Sequence, residues 1–160
     1  FFPKDLGDAM AGRVRFLDES HSVIFTDKGI QFFSTRVETS PELVSQIPIE
    51  ENIRSITYAQ DKVGIVTDNV EGGDPYKLRI YDREGSPVFE KTFNYQYTGF
   101  DIDGDLVLLY NDSSCKVYNM TGTEKYNGTF DFTVSKVSAG RFPGTLLVMG
   151  PQKMTEIKLQ

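Results

Sequence analysis

The stretch KLRIYDREGSPVFEKTF, residues 77–93, decides the fold expected for this chain. It has the pattern of an alternating strand, a polar turn that carries Gly85, and a second strand. Thirty-seven residues later the same pattern recurs without a gap. The matched pairs are Ile80 with Val117, Tyr81 with Tyr118, Asp82 with Asn119, Gly85 with Gly122, Phe89 with Tyr126, Thr92 with Thr129 and Phe93 with Phe130. Self-similarity at a fixed spacing predicts a repeat protein.

The composition is that of a globular chain of single-domain size. The 160 residues are 39% hydrophobic and 25% charged, which is close to ordinary globular usage. Twelve Phe and eight Tyr favour strands, because aromatic side chains pack well on a pleated surface. We therefore expect one all-β domain over residues 1–160, large enough to bury a core.

Charge and motif content exclude several classes of function. The net charge is -6, with 23 acidic and 17 basic residues, and no run of five like charges occurs. This predicts no nucleic-acid binding, because phosphates call for clustered Lys and Arg. No apolar run approaches the ~18 residues of a membrane helix, so this segment is expected to make no membrane contact. Zinc spacings, phosphate loops and dinucleotide fingerprints are also missing, which predicts no cofactor and no catalytic residue.

Short strands follow one another along the chain in four units. The predicted strands are 12–17, 22–26, 30–34 and 43–49; then 53–59, 63–67, 77–82 and 88–93; then 99–102, 106–110, 115–119 and 124–130; then 134–138, 145–149 and 154–159. Residues 1–11 have the pattern of an irregular lead-in and 35–41 that of a polar connection. Pro48 places the strand at 43–49 on a sheet edge. The fourth unit stops after three strands and lacks a counterpart of 88–93.

The repeated hairpin resembles that of WD-like and quinoprotein-like β-propellers. The resemblance rests on residues 80–85, IYDREG, and 117–122, VYNMTG, and covers about the last two thirds of the chain. It departs from both families, because the Trp-Asp and Gly-His dipeptides and the Trp docking motif are missing. More loosely, the chain is similar to uncharacterised, often membrane-anchored propeller proteins of Gram-positive bacteria. That similarity implies an extracytoplasmic or cell-surface location, with a cytoplasmic one as the alternative.

The repeat spacing of 35–45 residues is that of a propeller blade. We therefore predict a β-propeller of antiparallel four-stranded meanders with about four blades, at the bottom of the usual range of four to eight. Two forms compete: a compact four-bladed ring, or half of a larger ring within a longer protein. The start at Phe1 and the incomplete last unit favour the second. An open half would expose strand edges and favour a homo-oligomer. A plain antiparallel sandwich or barrel is the alternative fold.

Three carboxylates form the most chemical-looking motif. Asp101, Asp103 and Asp105 alternate around Gly104, and such oxygens can hold a hard cation such as calcium. An ordinary hairpin turn is the competing interpretation, since no bidentate Glu closes the loop. His21, between two Ser residues, is expected in a surface turn, and Cys115 is expected to be a buried, unreactive thiol.

Binding residues are expected on loops and aromatic faces. Phe93, Tyr95 and Tyr97 alternate, so they could form one platform for a sugar or peptide, or pack between sheets. Further binding residues are expected on or beside the loops 68–74 and 139–144. They are Asp74, Tyr76 beside the first loop, and Arg141.

The leading hypothesis for function is a non-catalytic propeller module that binds a protein or glycan partner through its loops. Two alternatives stand beside it. One is a carbohydrate-active enzyme fragment that uses Asp101, Asp103 or Asp105 as acid and base. The other is a structural repeat for self-assembly.

Overall fold

The computed structural model describes residues 11–35, 41–59 and 61–160, and these form four antiparallel sheets. Sheet 1 holds β1 (Ala11–Phe16), β2 (His21–Thr26), β3 (Gly29–Ser34) and β4 (Glu42–Pro48). Sheet 2 holds β5 (Ile53–Ala59), β6 (Lys62–Asp68), β7 (Tyr76–Asp82) and β8 (Pro87–Phe93). Sheet 3 holds β9 (Gly99–Asp103), β10 (Leu106–Tyr110), β11 (Ser114–Asn119) and β12 (Glu124–Thr129). Sheet 4 holds β13 (Lys136–Ala139), β14 (Thr145–Met149) and β15 (Met154–Lys158).

Each sheet is an up-and-down meander, because its strands are hydrogen-bonded in sequence order. The predicted all-β fold of four units is confirmed, including the edge position of β4 and the three strands of the last unit. The strand predicted at 134–138 begins later, at Lys136. Val134 N donates instead to the carbonyl of Asp112 in sheet 3, at 2.8 Å. Most of the irregular lead-in predicted for 1–11 and of the polar connection predicted for 35–41 lies outside the described residues, and residue 11 already belongs to β1.

Three hydrophobic clusters join neighbouring sheets. The middle strands send alternate side chains to opposite sides, so Val63 and Ile65 of β6 face sheet 1 while Val66 faces sheet 3. The strand predicted at 106–110 is buried on both faces, since its successive residues Val107, Leu108 and Leu109 are 0% exposed. Burial of apolar surface is the main favourable term in folding, so these interfaces stabilise the stack. Within the described residues the clusters join sheets 1 and 2, 2 and 3, and 3 and 4.

The first strands of sheets 2, 3 and 4 run in the same direction. Hydrogen bonds link these strands, or the segments that lead into them, and the partners advance along both strands together. The pairs are Ser55 with Tyr97, Thr57 with Asp101, and Asp103 with Ala139. We call the end of the sheets where these strands begin the upper end, and the end where they finish the lower end. The upper end therefore holds the loops 49–52, 69–75, 94–98, 111–113 and 150–153. The lower end holds 83–86, 104–105, 120–123 and 140–144, and Arg83 brings the 17–20 turn of sheet 1 to it through Asp18.

The repeated glycine positions each sheet against the one before it. Gly85 and Gly122 have φ of 86° and 79°, a left-handed conformation that favours glycine. A Cβ on Gly85 would lie 2.7 Å from Phe32 and 2.8 Å from Ser45 of sheet 1. A Cβ on Gly122 would lie 3.2 Å from Phe89 of sheet 2. The hairpin that the sequence repeats is therefore also a contact between sheets.

A substitution of Gly85 tests its two roles, which are the left-handed backbone conformation and the close approach to sheet 1. We expect Gly85→Ala to lower the free energy of unfolding by roughly 2–5 kcal/mol, because backbone strain and overpacking against sheet 1 add. Gly144→Ala is the matched control, since Gly144 has φ of 74° but a Cβ added there would meet no described atom within 4 Å. It should cost only about 1–2 kcal/mol, from the backbone alone. Denaturant titration of both variants measures the difference, and equal losses would contradict the packing role.

Candidate functional site

An ordered loop stands at the upper end of sheet 2. The loop 69–75 joins β6 to β7, and the side chain of Asn69 donates to the carbonyls of Gly72 at 3.1 Å and Asp74 at 2.8 Å. Thr92 of β8 donates to the Asp74 carboxylate at 3.1 Å. These bonds fix the loop from inside, while its Val70 side chain is 75% exposed. The loop therefore presents an apolar side chain to solvent on a braced backbone.

A pocket of about 430 Å³ lies beside this loop, between sheets 1 and 2. Its lining residues come from four places: Pro48 at the end of β4, Glu50 and Glu51 after it, Val70 of the loop, and Arg79 of β7. The volume is within the ~300–1,000 Å³ range of ligand pockets. Pro48, Glu50 and Val70 are exposed, whereas Arg79 is buried, so the pocket has an open rim and a charged inner wall.

Ion pairs hold the charged wall in place. Arg79 Nη2 donates to Glu51 Oε1 at 2.5 Å, and Lys77 Nζ is 2.8 Å from Glu90 Oε1 and 3.7 Å from Glu71. Burial raises the pKa of Glu51, but the hydrogen bonds from its own backbone and from Arg79 outweigh this and leave the pKa lowered. The hydrogen bond with Glu90 raises the pKa of Lys77. Glu51 and Lys77 are therefore charged at neutral pH.

The tyrosines predicted to bind a ligand lie between sheets 2 and 3. The rings of Tyr76, Phe93 and Tyr97 form a triangle with centroid distances of 5.4, 5.9 and 6.0 Å. The hydroxyls of Tyr97 and Tyr95 are bonded within the chain, 2.7 Å from Ser55 and from Ser114. Burial raises the pKa of Tyr95 and of Tyr97. These side chains pack mainly between sheets, as the alternative interpretation of the alternation expected.

The structure does not bring the predicted loop residues together. Asp74 and Tyr76 lie at the upper end, whereas Arg141 lies in the β13–β14 turn at the lower end. Arg141 is exposed and pairs with Glu156 at 3.5 Å. A single flat partner could not contact both loops at once, because the length of the strands separates them.

The three carboxylates predicted as a metal or acid-base site each have different surroundings. Asp101 accepts from Thr57 at 3.4 Å, Asp103 accepts from Ala139 N at 2.8 Å, and Asp105 lies exposed in the hairpin turn. Within the described ranges, no group of three or more His, Cys, Asp or Glu side chains could hold a metal ion. The interpretation as a hairpin turn describes this segment, in which Asp103 links sheet 3 to sheet 4.

His21 belongs to a polar cluster at the lower end. Its Nδ1 lies 2.9 Å from Asp18 Oδ1 and 3.0 Å from Ser20 Oγ, so Ser20 and Asp18 share one ring nitrogen. A catalytic triad places the nucleophile and the acid on different ring nitrogens, so the cluster does not have that arrangement. Asp18 also accepts from Arg83 at 2.9 Å, which ties sheet 1 to sheet 2.

Cys115 is completely buried in the cluster between sheets 3 and 4. Burial raises the pKa of its thiol to about 12. Because the thiolate is the nucleophilic form, the side chain is inert at neutral pH.

Sequence reasoning missed the pocket residues Glu50 and Arg79, and it included Val70 only as part of the predicted contact loop 68–74. A signal for Arg79 was present in KLRIY, residues 77–81, where charged residues alternate with apolar ones. A strand with a sheet packed on each face would be expected to be apolar on both faces. Charged residues on the inner face of such a strand indicate a polar gap between sheets. No local pattern marks Glu50 or Val70, since the fold alone brings their loops together.

Residues 2–159 match the model of a family of unknown function, DUF5711. The chain belongs to the DUF5711 family. A search of curated protein sequences finds no match.

Several solved structures share the fold. The computationally designed Ika4 protein is similar with a TM-score of 0.56 and 10% identity, over 96% of this chain and 94% of that one. HIRA(644-1017) gives 0.55 and 11%, over 96% and 54%, and Hsv2 of Kluyveromyces lactis gives 0.53 and 10%, over 96% and 47%. The DUF5711 chain therefore has a β-propeller fold, and it spans about half the length of HIRA(644-1017) and Hsv2.

No helix in the described part of the DUF5711 chain has the length and apolar character needed to cross a membrane.

Acid should weaken the Asp18 link between sheets 1 and 2. Burial raises the pKa of Asp18, but the hydrogen bonds from Ser20 and His21 outweigh it and hold the pKa well below the usual range. A lowered pKa in the folded state stabilises the fold above the unfolded value, near 4, and this contribution disappears as pH falls through the folded value. We expect Asp18→Asn to lower the denaturant midpoint clearly at pH 7.

The difference from the wild type should shrink below about pH 4, because the wild-type carboxylate is then losing its advantage. Asp105→Asn is the control, since Asp105 is exposed in a turn and should change the midpoint little at any pH. A loss in Asp18→Asn that is the same at every pH would contradict the ionic role.

Proposed function

We propose that the chain is a non-catalytic propeller module that binds a protein partner at its upper end. The observation that carries the proposal is the braced loop 69–75, which holds Val70 75% exposed beside the open pocket. Exposed apolar side chains rimmed by polar groups are typical of interaction sites. Rigid scaffolds commonly display such residues on their connections, where backbone ordering has already been completed before binding.

A propeller in a known complex supports a protein partner. BBS1N, crystallised in complex with ARL6DN, is similar to this chain with a TM-score of 0.52 and 12% identity, over 94% of this chain and 52% of that one. Tyr95 and Tyr97, the rings predicted to receive a sugar or a peptide, are bonded and half-buried between sheets. We favour a protein over a glycan because the described lining of the pocket beside Val70 includes no aromatic ring on which a sugar could stack. An extracytoplasmic location remains an expectation from the resemblance alone, and fractionation of the native source would test it.

Opposite ends of the molecule provide matched variants for this proposal. We expect Val70→Ser to reduce capture of a native-source partner by about tenfold, because a central apolar contact is lost. The partner is recovered on immobilised protein and quantified by mass spectrometry against a blank matrix. Phe142→Ser is the control, since Phe142 is 64% exposed in the 140–144 turn at the lower end.

Loss of the same partner in Phe142→Ser but not in Val70→Ser would contradict the upper-end assignment. Failure to capture any partner above the blank would contradict the proposed function itself.

Self-assembly is a second candidate, which sheet 4 favours. In the described part of the chain no strand pairs with the outer edge of β15. On the face away from sheet 3, Leu147 and Met149 are only partly buried and Met154 is 63% exposed. The other middle strands are buried on both sides, so this face differs from the rest of the stack. An open strand edge and a partly apolar face can pair with another copy.

Mass in solution tests this candidate. Light scattering during size exclusion should show a mass that rises toward a dimer with protein concentration, and Met154→Lys should keep the chain monomeric because a charge disfavours edge pairing. Leu43→Lys is the control on an edge strand of another sheet, β4, where Leu43 is 45% exposed. A wild-type mass that stays monomeric at every concentration would rule out assembly.

A further inference from the structure

One side chain that lines the pocket between sheets 1 and 2, Arg79, has a hydrogen-bond donor without an acceptor. The Arg79 side chain is 9% exposed, and its Nη2 is used by Glu51. Its Nε has no hydrogen-bond partner in the described part of the chain, and the carboxylate of Glu90 is 3.8 Å away, which is too long for a hydrogen bond. A buried donor left unpaired costs free energy that an incoming acceptor can recover. Arg79 also lines the pocket, so an acceptor bound there would lie beside its guanidinium group.

A second unpaired polar atom lies on the same face of sheet 2. Thr67 is 0% exposed and its Oγ1 has no partner among the described residues. Thr67 pairs with Lys77 and Ile65 with Arg79 across β6 and β7, so Thr67 and Arg79 are diagonal neighbours. The gap between sheets 1 and 2 therefore has unused hydrogen-bonding capacity where an apolar core would have none.

The charges around the pocket favour a basic ligand group. Among the described residues, Arg79 and Lys77 form ion pairs with three carboxylates, those of Glu51, Glu71 and Glu90, and Glu50 is a fourth carboxylate that lines the pocket. Two carboxylates are thus in excess, and Glu50 is exposed at the rim and forms no ion pair within the described ranges. An anionic ligand would be repelled by this surplus, whereas a cationic side chain would be attracted.

The shape and the polar groups together indicate a peptide. The pocket offers a donor at Arg79, acceptors at Glu50 and Glu51, and apolar contact at Pro48 and Val70. A main-chain amide supplies both an acceptor and a donor, and a neighbouring side chain can reach the rim. The described residues that line the pocket include no aromatic ring on which a sugar could stack. The volume of about 430 Å³ admits a short segment and not a folded domain.

We propose that this pocket binds an extended peptide segment of the partner protein, with a carbonyl oxygen on the Arg79 guanidinium and a Lys or Arg side chain on Glu50. The proposal rests on the proposed function, because it names the segment of the protein partner that the upper end would recognise. Val70 and Pro48 enclose the apolar part of that segment.

Arginine Nε–H signals allow a direct test. The ¹⁵N-labelled chain is titrated with the pentapeptide acetyl-Ala-Ala-Arg-Ala-Ala-amide, and the Arg79 Nε–H resonance is assigned by comparison with Arg79→Lys. We expect this resonance to move with the arginine peptide and to move little with the peptide that has Glu in place of Arg. The apparent affinity should differ by about tenfold or more, because the charge is complementary in one peptide only.

Two carboxylate variants localise the effect. Glu50→Gln removes a rim charge on an exposed side chain, so the fold is retained and the affinity for the arginine peptide should fall about fivefold or more. Glu19→Gln is the matched control, since Glu19 is exposed in the 17–20 turn at the lower end and its loss changes the net charge equally. It should leave the affinity unchanged.

Several results would overturn the proposal. These are an Arg79 signal that does not move, equal binding of the arginine and glutamate peptides, equal effects of the two carboxylate variants, or a larger shift with inorganic phosphate than with the arginine peptide. Capture of a partner that depends on Val70 but not on Glu50 would leave the proposed function standing while this pocket fails. Peptide binding at Arg79 without any captured partner would support this pocket while the proposed function fails.

Discussion

Burial of both faces of the middle strands is the constraint on which this structure depends. A four-stranded meander of this length has two faces and cannot cover either by itself, so each sheet needs a neighbour. Val107, Leu108 and Leu109 show the consequence, since successive residues of one strand are all completely buried. The stack of sheets, the direction of the first strands and the separation of upper and lower ends all follow from that need. The sheet with an open face, sheet 4, is where the alternation of buried and partly buried residues in β14 appears.

The gap between sheets 1 and 2 departs from this rule at its upper end. There the face of β7 carries Lys77 and Arg79 in place of apolar residues, and carboxylates from β8 and from two loops balance them. Buried ion pairs seldom add stability over a hydrophobic contact, because removal of the charges from water costs about what their attraction returns. These pairs lie at the interface next to the braced loop with its exposed Val70, where the proposed function places partner binding.

Much of the fold was predictable because it is encoded locally and repeated. The left-handed glycine of each hairpin, the alternation of strands and the turn residues recur at a fixed spacing, and each has a local physical cause. A predicted strand boundary was wrong where a hydrogen bond between sheets replaced one within a sheet, as at Val134. The predicted site residues fared differently. Tyr95 and Tyr97 carry real aromatic character, but periodicity does not tell whether a ring faces solvent or a neighbouring sheet, and here the neighbouring sheet takes them.

The sequence by itself determined that this DUF5711 chain is a repeat of antiparallel meanders whose last unit is one strand short. It did so because backbone conformation and strand period depend on residues close in the chain. The tertiary structure decided which loops share an end, and so separated Arg141 from Asp74 and assembled Glu50, Val70 and Arg79 around one pocket. Those residues are far apart in sequence, and only the packing of sheet 2 on sheet 1 places them together. The repeated hairpin of Gly85 connects the two levels, since a glycine chosen for its turn also sets how closely the sheets approach.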